Sequence, residues 1–196
     1  MSILIVLSHP KPGSFNHAIA EALRDTLQAA GKSVVLRDLQ AEGFDPVYSA
    51  DEMLRDAVLP PQVQASIDEM MKAEGIIFVH PNYWSTPPAM LKGWLDRVLR
   101  PGVCYRFQTG PDGKGYVQSL IVATAGMVVT TANTPDDVDR HVYGDPLQNF
   151  WEKCVFGFFG IRRFQRLSFS PVIVSSPEQR SAWLDDARRT ALALFV

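Results

Sequence analysis

The sequence predicts an α/β fold: a doubly wound, five-stranded parallel sheet in the order 2-1-3-4-5. Three observations carry that expectation. Short unbroken apolar runs, Ile3-Leu4-Ile5-Val6-Leu7 and Gly75-Ile76-Ile77-Phe78-Val79, read as strands buried on both faces. Apolar residues four apart, as at Ile19, Leu23 and Leu27, read as helices with one buried stripe. The two patterns alternate along the chain, which marks βαβ units. The order follows from the statistics of such folds, and it puts a ligand crevice at the switch between strands one and three.

The first strand, Ile3 to Leu7, runs into a polar loop, His9 to Asn16, and the helix behind it ends at Gly31. Ser33 to Leu36 is the second strand. Residues 39–62, with Gly43, Pro46, Pro60 and Pro61, are irregular. Val63, Ile67, Met70 and Met71 begin a helix that leads to the third strand, Gly75 to Val79. Leu91, Trp94, Leu95 and Val98 make the next helix. Residues 100–116 are rich in Gly and Pro and have the character of a hairpin excursion. The fourth strand is predicted at Leu120 to Ala123. Thr134-Pro135-Asp136-Asp137 reads as a cap, a first-turn proline and early acids. Trp151, Val155, Phe158 and Phe159 form a helix stopping at Gly160. The fifth strand lies within Arg166–Val174, broken or displaced by Pro171, and Pro177 to Leu194 is the last helix.

No Pro/Gly/Ser-rich linker divides the 196 residues, so residues 1–196 read as one domain. At 46% hydrophobic and 20% charged, the composition is that of an ordinary globular protein. A net charge of −2, with scattered Lys and Arg, argues against nucleic acid or an acidic membrane surface as partner. Arg162, Arg163 and Arg166 cluster, and read as a solvated strand edge. Two cysteines without a CxxC motif, Cys104 and Cys154, suggest neither a disulfide framework nor a metal site, and fit the cytoplasm. The four histidines lack the spacing of a metal pair. The N-terminal apolar run is too short for a signal peptide, and no run approaches the roughly 18 apolar residues of a spanning helix.

In a parallel sheet the loops after strands one, three and four emerge on one edge. The first, with His9 and Gly13-Ser14-Phe15-Asn16, opens a helix, where unpaired N–H groups and the macrodipole favour an anion. Ser14 or Asn16 as a simple helix cap, and His9 as a backbone-bonded loop residue, are the plainer readings. The loop matches neither the P-loop nor the GxGxxG pattern. The second loop, Pro81-Asn82-Tyr83-Trp84-Ser85, is aromatic and framed by prolines, a stiff platform for a flat ligand. Its aromatics read equally as core or dimer contacts. The third, Thr124-Ala125-Gly126, offers Gly126 for a close backbone approach or a plain turn.

These residues carry a resemblance. His9-Pro10 with Ser14-Phe15-Asn16, then Pro81 to Trp84, Pro88-Ala89, Leu91-Lys92-Gly93-Trp94, Arg97-Val98 and Thr124-Ala125-Gly126 run in order over most of the chain. The stretch Trp84–Val98 is the specific part. The chain resembles the flavodoxin-fold NAD(P)H:quinone oxidoreductases, the DT-diaphorase family, in a short bacterial form. It is also similar to relatives that include ancillary subunits of potassium-efflux systems.

The resemblance implies a flavodoxin-like fold and a bound flavin, FMN favoured over FAD, with NAD(P)H as donor and a quinone-like acceptor. By position, His9, Ser14, Phe15 and Asn16 contact the flavin phosphate and ribityl end. Pro81, Asn82, Tyr83, Trp84 and Ser85 hold the isoalloxazine ring, and Thr124, Ala125, Gly126 and Met127 cover its far edge. Tyr105, Arg106 and Phe107 line the substrate side, contributed by the partner of a homodimer. Two departures matter. Tyr143, in Val142-Tyr143-Gly144-Asp145, stands where the family keeps a histidine, and is the candidate catalytic helper. The long insert of the animal enzymes is missing, whereas Arg180 lies where those enzymes touch the adenosine end. Two other functions fit the resemblance: a flavin- and nucleotide-binding regulatory subunit of a potassium-efflux transporter, and a flavodoxin-type electron carrier. The weak net charge argues against the carrier.

Overall fold

In a computed structural model, which describes residues 2–54 and 56–196, the chain forms a five-stranded parallel sheet flanked by helices on both faces. The strands and helices in chain order are β1 (Ser2–Leu7), α1 (Phe15–Ala29), β2 (Val34–Asp38), α2 (Pro61–Lys72), β3 (Ala73–Pro81) and α3 (Ala89–Val98). A hairpin follows, β4 (Tyr105–Thr109) and β5 (Gly115–Ser119). Then come β6 (Ala125–Thr131), α4 (Asp136–His141), α5 (Pro146–Asn149), β7 (Arg163–Phe169) and α6 (Pro177–Phe195). The sheet order is β2-β1-β3-β6-β7 and the hairpin pairs only with itself. With the hairpin set aside, β6 and β7 are the fourth and fifth sheet strands, so the order is the expected one.

Alternation along each strand feeds two cores. Leu4, Val6, Ile76, Phe78 and Val128 face α2, α3 and the π-helical turn Phe150–Phe156 that continues α5. Ile3, Ile5, Leu7, Ile77, Val79, Met127 and Val129 face α1 and α6. A strand buried on both faces must be apolar at every position, which is why these runs show no polar alternation.

The fourth strand corrects the sequence reading. It begins at Ala125, not Leu120, and Leu120 to Ala123 is only its approach. Thr124 donates its N–H to the carbonyl of Glu74, beside the start of β3, so Thr124–Met127 sit at the N-terminal edge of the sheet. Ala125 and Met127 are buried in the α1/α6 layer. Gly126 is small for a packing reason: a Cβ there would lie 2.2 Å from Cε1 of the Phe156 ring. Its backbone approaches a helix, not a ligand.

Arg166 is a second correction. Its side chain is buried rather than solvated, paired with Asp145 and 3.8 Å from Asp139. Arg97 is likewise structural, paired with Glu52 at 2.8 Å while its guanidinium lies 5.6 Å over the Phe44 ring. It ties the irregular segment before α2 to α3. β7 ends at Phe169, ahead of Pro171.

Candidate functional site

The loops after β1, β3 and β6 meet at the C-terminal edge of the sheet, where α/β folds bind ligands. Two clefts open there. The first, ≈ 240 Å³, is lined by His9, Phe15, Asn16, Pro81, Asn82, Tyr83 and the turn Thr131-Ala132-Asn133, with Val172. The second, ≈ 570 Å³, is lined by Asn82, Trp84, Ser85, Thr134 and Tyr143. Asn82 belongs to both, so the two clefts adjoin at that residue.

At the first cleft, Asn16 is only 2% exposed. Its Nδ2 donates to Thr131 Oγ1 at 2.8 Å, while its Oδ1 is buried without a partner. That is an unmet polar group beside a helix start whose first N–H groups have no partner inside the helix. The hydroxyl of Ser14 does not cap α1. It turns to His17 Nδ1 at 2.7 Å, and His17 Nε2 faces Asp38 Oδ2 at 3.0 Å. Ser14 therefore stands beside the cleft, held in a polar chain, rather than among the residues that line it. His9 engages the backbone of Lys11 through Nδ1, and burial pulls its pKa below the ordinary histidine value. The Phe15 ring packs against the stacked pair Phe169 and Trp183, anchoring the helix start to α6.

The second cleft is built on a strained turn. Tyr83 and Thr86 exchange backbone hydrogen bonds at 3.1 Å around Trp84 and Ser85, which have φ of 54° and 58°. Tight turns with two positive φ values normally use Asn-Gly. Two non-glycine L-residues there, one of them bulky Trp84, store strain, which clusters at functional sites. The turn presents Trp84 with its side chain 99% exposed. Opposite, Tyr143 is 55% exposed on a rim held from below by Asp145, which caps Gln148 and receives buried Arg166.

The structure thus brings together His9, Phe15, Asn16, Pro81–Ser85 and Tyr143, with Ser14 adjacent. It does not bring in Thr124–Met127, which lie at the far end of β6. Tyr105, Arg106 and Phe107 sit on β4, beyond the end of α3, and line neither cleft of their own chain. The residues that sequence reasoning missed are Thr131 to Thr134. The available signal was the apolar run Met127-Val128-Val129, whose end, not whose beginning, marks the rim. Arg180 turns inward, donating to Ser175 Oγ at 2.8 Å and to the Val172 carbonyl at 3.2 Å. Among the described residues, no cluster of His, Cys, Asp and Glu is arranged to hold a metal ion, and no helix is long and apolar enough to cross a membrane.

A family model for the flavodoxin-like fold matches residues 1–194. The chain is 36% identical over 196 residues to a Haemophilus influenzae protein named "Uncharacterized NAD(P)H oxidoreductase", covering 98% of this chain and 95% of that one. It is 30% identical over 208 residues to human ribosyldihydronicotinamide dehydrogenase [quinone], covering 92% and 88%. The solved NAD(P)H:quinone oxidoreductase from Methanothermobacter marburgensis superposes with a TM-score of 0.82 at 25% identity, covering 97% of this chain and 95% of that one. The chain belongs to the flavodoxin-like fold family, among relatives named as NAD(P)H oxidoreductases and quinone reductases.

Proposed function

We propose that the protein is a flavin-dependent NAD(P)H:quinone oxidoreductase, with residues 1–196 acting as one flavin-binding domain in the cytoplasm. The observation that carries this reading is that the two clefts adjoin at Asn82 on the C-terminal edge of the sheet. One end offers a helix start, His9 and the unmet Oδ1 of Asn16, which suit a phosphate and its polar chain. The other is lined by Trp84 and Tyr143, aromatic side chains that suit a ring. The relatives' names supply the donor and acceptor classes.

A bound flavin supplies the hydride acceptor that no side chain can be. The protein's residues bind and orient. Pro81–Ser85 would hold the flavin ring, and Thr131–Asn133, which line the first cleft, would take the role expected of Thr124–Met127. Tyr143, which lines the second cleft, would donate a hydrogen bond to negative charge developing on a bound flavin. The cleft beside Trp84 would admit NAD(P)H and the quinone in turn. We favour FMN over FAD, because Arg180, the position expected at the adenosine end, is already engaged by Ser175 Oγ and the Val172 carbonyl. A second copy of the chain completes the acceptor slot with its β4 hairpin.

The visible spectrum of the purified protein tests the cofactor, and chromatography after heat release separates FMN from FAD. Anaerobic reduction by NADH or NADPH, followed by reoxidation with a quinone, tests the reaction. A colourless protein that takes up no added flavin overturns the reading.

A further inference from the structure

His80, the residue before the Pro81–Ser85 loop, is buried and lines no cleft. Its hydrogen bonds fix its chemistry. Trp151 Nε1, which can only donate, lies 3.1 Å from His80 Nε2. Nε2 therefore accepts, and in the neutral ring Nδ1 carries the proton. Nδ1 lies 2.8 Å from the Pro81 carbonyl oxygen and donates to it. Burial pushes the His80 pKa down to about 4, so this single neutral tautomer persists at working pH. On the other side of the same peptide, Asn82 donates its N–H to the Thr131 carbonyl at 2.7 Å. The Pro81–Asn82 peptide is thus clamped at both its C=O and its N–H. Trp151, in turn, is buried and stacked on Phe78 with ring centroids 4.6 Å apart.

We infer that His80 is a positioning residue for the ligand cleft: its Nδ1–H fixes the plane of the Pro81–Asn82 peptide and so the residue shared by both clefts. Its two hydrogen bonds divide the work. The bond from Trp151 holds the core. The bond to Pro81 sets the loop on which strained Trp84 and Ser85 are mounted. The inference rests on the flavin reading proposed above.

Two variants separate the bonds. In His80→Asn the side-chain amide sits where Nδ1 was and still donates to Pro81, but nothing reaches Trp151. In His80→Gln the amide oxygen reaches the place of Nε2 and still accepts from Trp151, but the donor to Pro81 is lost. Thermal midpoints report the core, and flavin release on dilution of the flavin-loaded protein, read by fluorescence recovery, reports the cleft. His80→Gln is expected to keep the melting temperature and to bind flavin roughly tenfold more weakly, the scale of one hydrogen bond. His80→Asn is expected to melt lower yet keep flavin affinity within about twofold. Variants that lose stability and affinity in step, or a His80→Gln protein with wild-type affinity, overturn the inference. Wild-type protein that binds no flavin overturns the flavin reading itself, a distinct result.

Discussion

Asn16 Nδ2 donates to Thr131 Oγ1 across 2.8 Å, joining the first turn of α1 to the last residue of β6. The bond leaves Asn16 Oδ1 buried and unpaired at the cleft. It also makes position 16 a sensitive probe. In Asn16→Asp the Thr131 hydroxyl can donate to the new carboxylate, so the link between elements survives. In the proposed flavin complex the carboxylate then faces the phosphate. Like charges in such a contact cost about 3 kcal/mol, so flavin affinity is expected to fall at least roughly a hundredfold. Flavin titration and a thermal melt check this. Unchanged affinity would remove the helix start from the site.

Gly126 offers a contrast. A Cβ at this position meets the Phe156 ring at 2.2 to 2.7 Å. Overpacking of this kind costs about 1–3 kcal/mol. Gly126→Ala is therefore expected to lower stability in denaturant titration while the folded fraction keeps its full flavin content. Loss of flavin at unchanged stability would return Gly126 to the ligand.

His80 gives the stability a pH dependence. Its pKa is about 4 in the folded protein and near 6.5 when unfolded. Between these values the unfolded chain binds more protons, so stability rises with pH there. The contribution is complete above about pH 6.5 and is lost as pH falls through about 4, a difference of roughly 3 kcal/mol. Denaturant titrations of wild type and His80→Phe across that range check it. The variant is expected to show a shallower slope, and parallel curves would assign the acid sensitivity elsewhere.

Much of the architecture was legible because burial on both faces of β1 and β3 leaves unmixed apolar runs, and because α1 shows its stripe at Ile19, Leu23 and Leu27. The rim loops after β1 and β3 were legible for the same reason: they begin where those runs stop. β6 misled because it opens with Ala125-Gly126, small residues that fit under Phe156 and look like a turn. The third rim loop moved with it. The Trp84–Ser85 turn carries no glycine, so its positive φ values left no trace in the residue pattern. Arg166 looked exposed because its partners, Asp139 and Asp145, come from a segment more than twenty residues earlier that only the fold brings near.

Tyr143 stands over the second cleft on a rim fixed by Arg166 and Asp145. Its hydroxyl can donate to charge developing on the ligand. Tyr143→Phe is expected to slow flavin reduction by NAD(P)H by an amount matching one lost hydrogen bond, about 1–3 kcal/mol or roughly 5- to 150-fold. Stopped-flow reduction at equal flavin content reads this directly. Equal rates would leave the phenol as a packing residue and assign the electrostatic help to backbone groups.

The β4 hairpin is the remaining test of the assembly. Tyr105 is committed to its own chain, with its ring edge-on to Phe158 at 4.9 Å and to Phe159 at 6.2 Å. Phe107, on the same strand, is 71% exposed. An apolar groove of ≈ 470 Å³ runs beside them past Leu95, Leu99, Phe150 and Phe158. We propose that exposed Phe107 and this groove belong to the interface of a homodimer, two-fold dimers being the commonest homo-oligomers. Phe107 is therefore the residue expected to enter the acceptor slot of a second copy. Light scattering is expected to give twice the chain mass. Phe107→Ala is expected to raise the KM for quinone several-fold with flavin content and flavin reduction by NAD(P)H unchanged. A monomer that keeps full specific activity at high dilution would show that each chain completes its own slot.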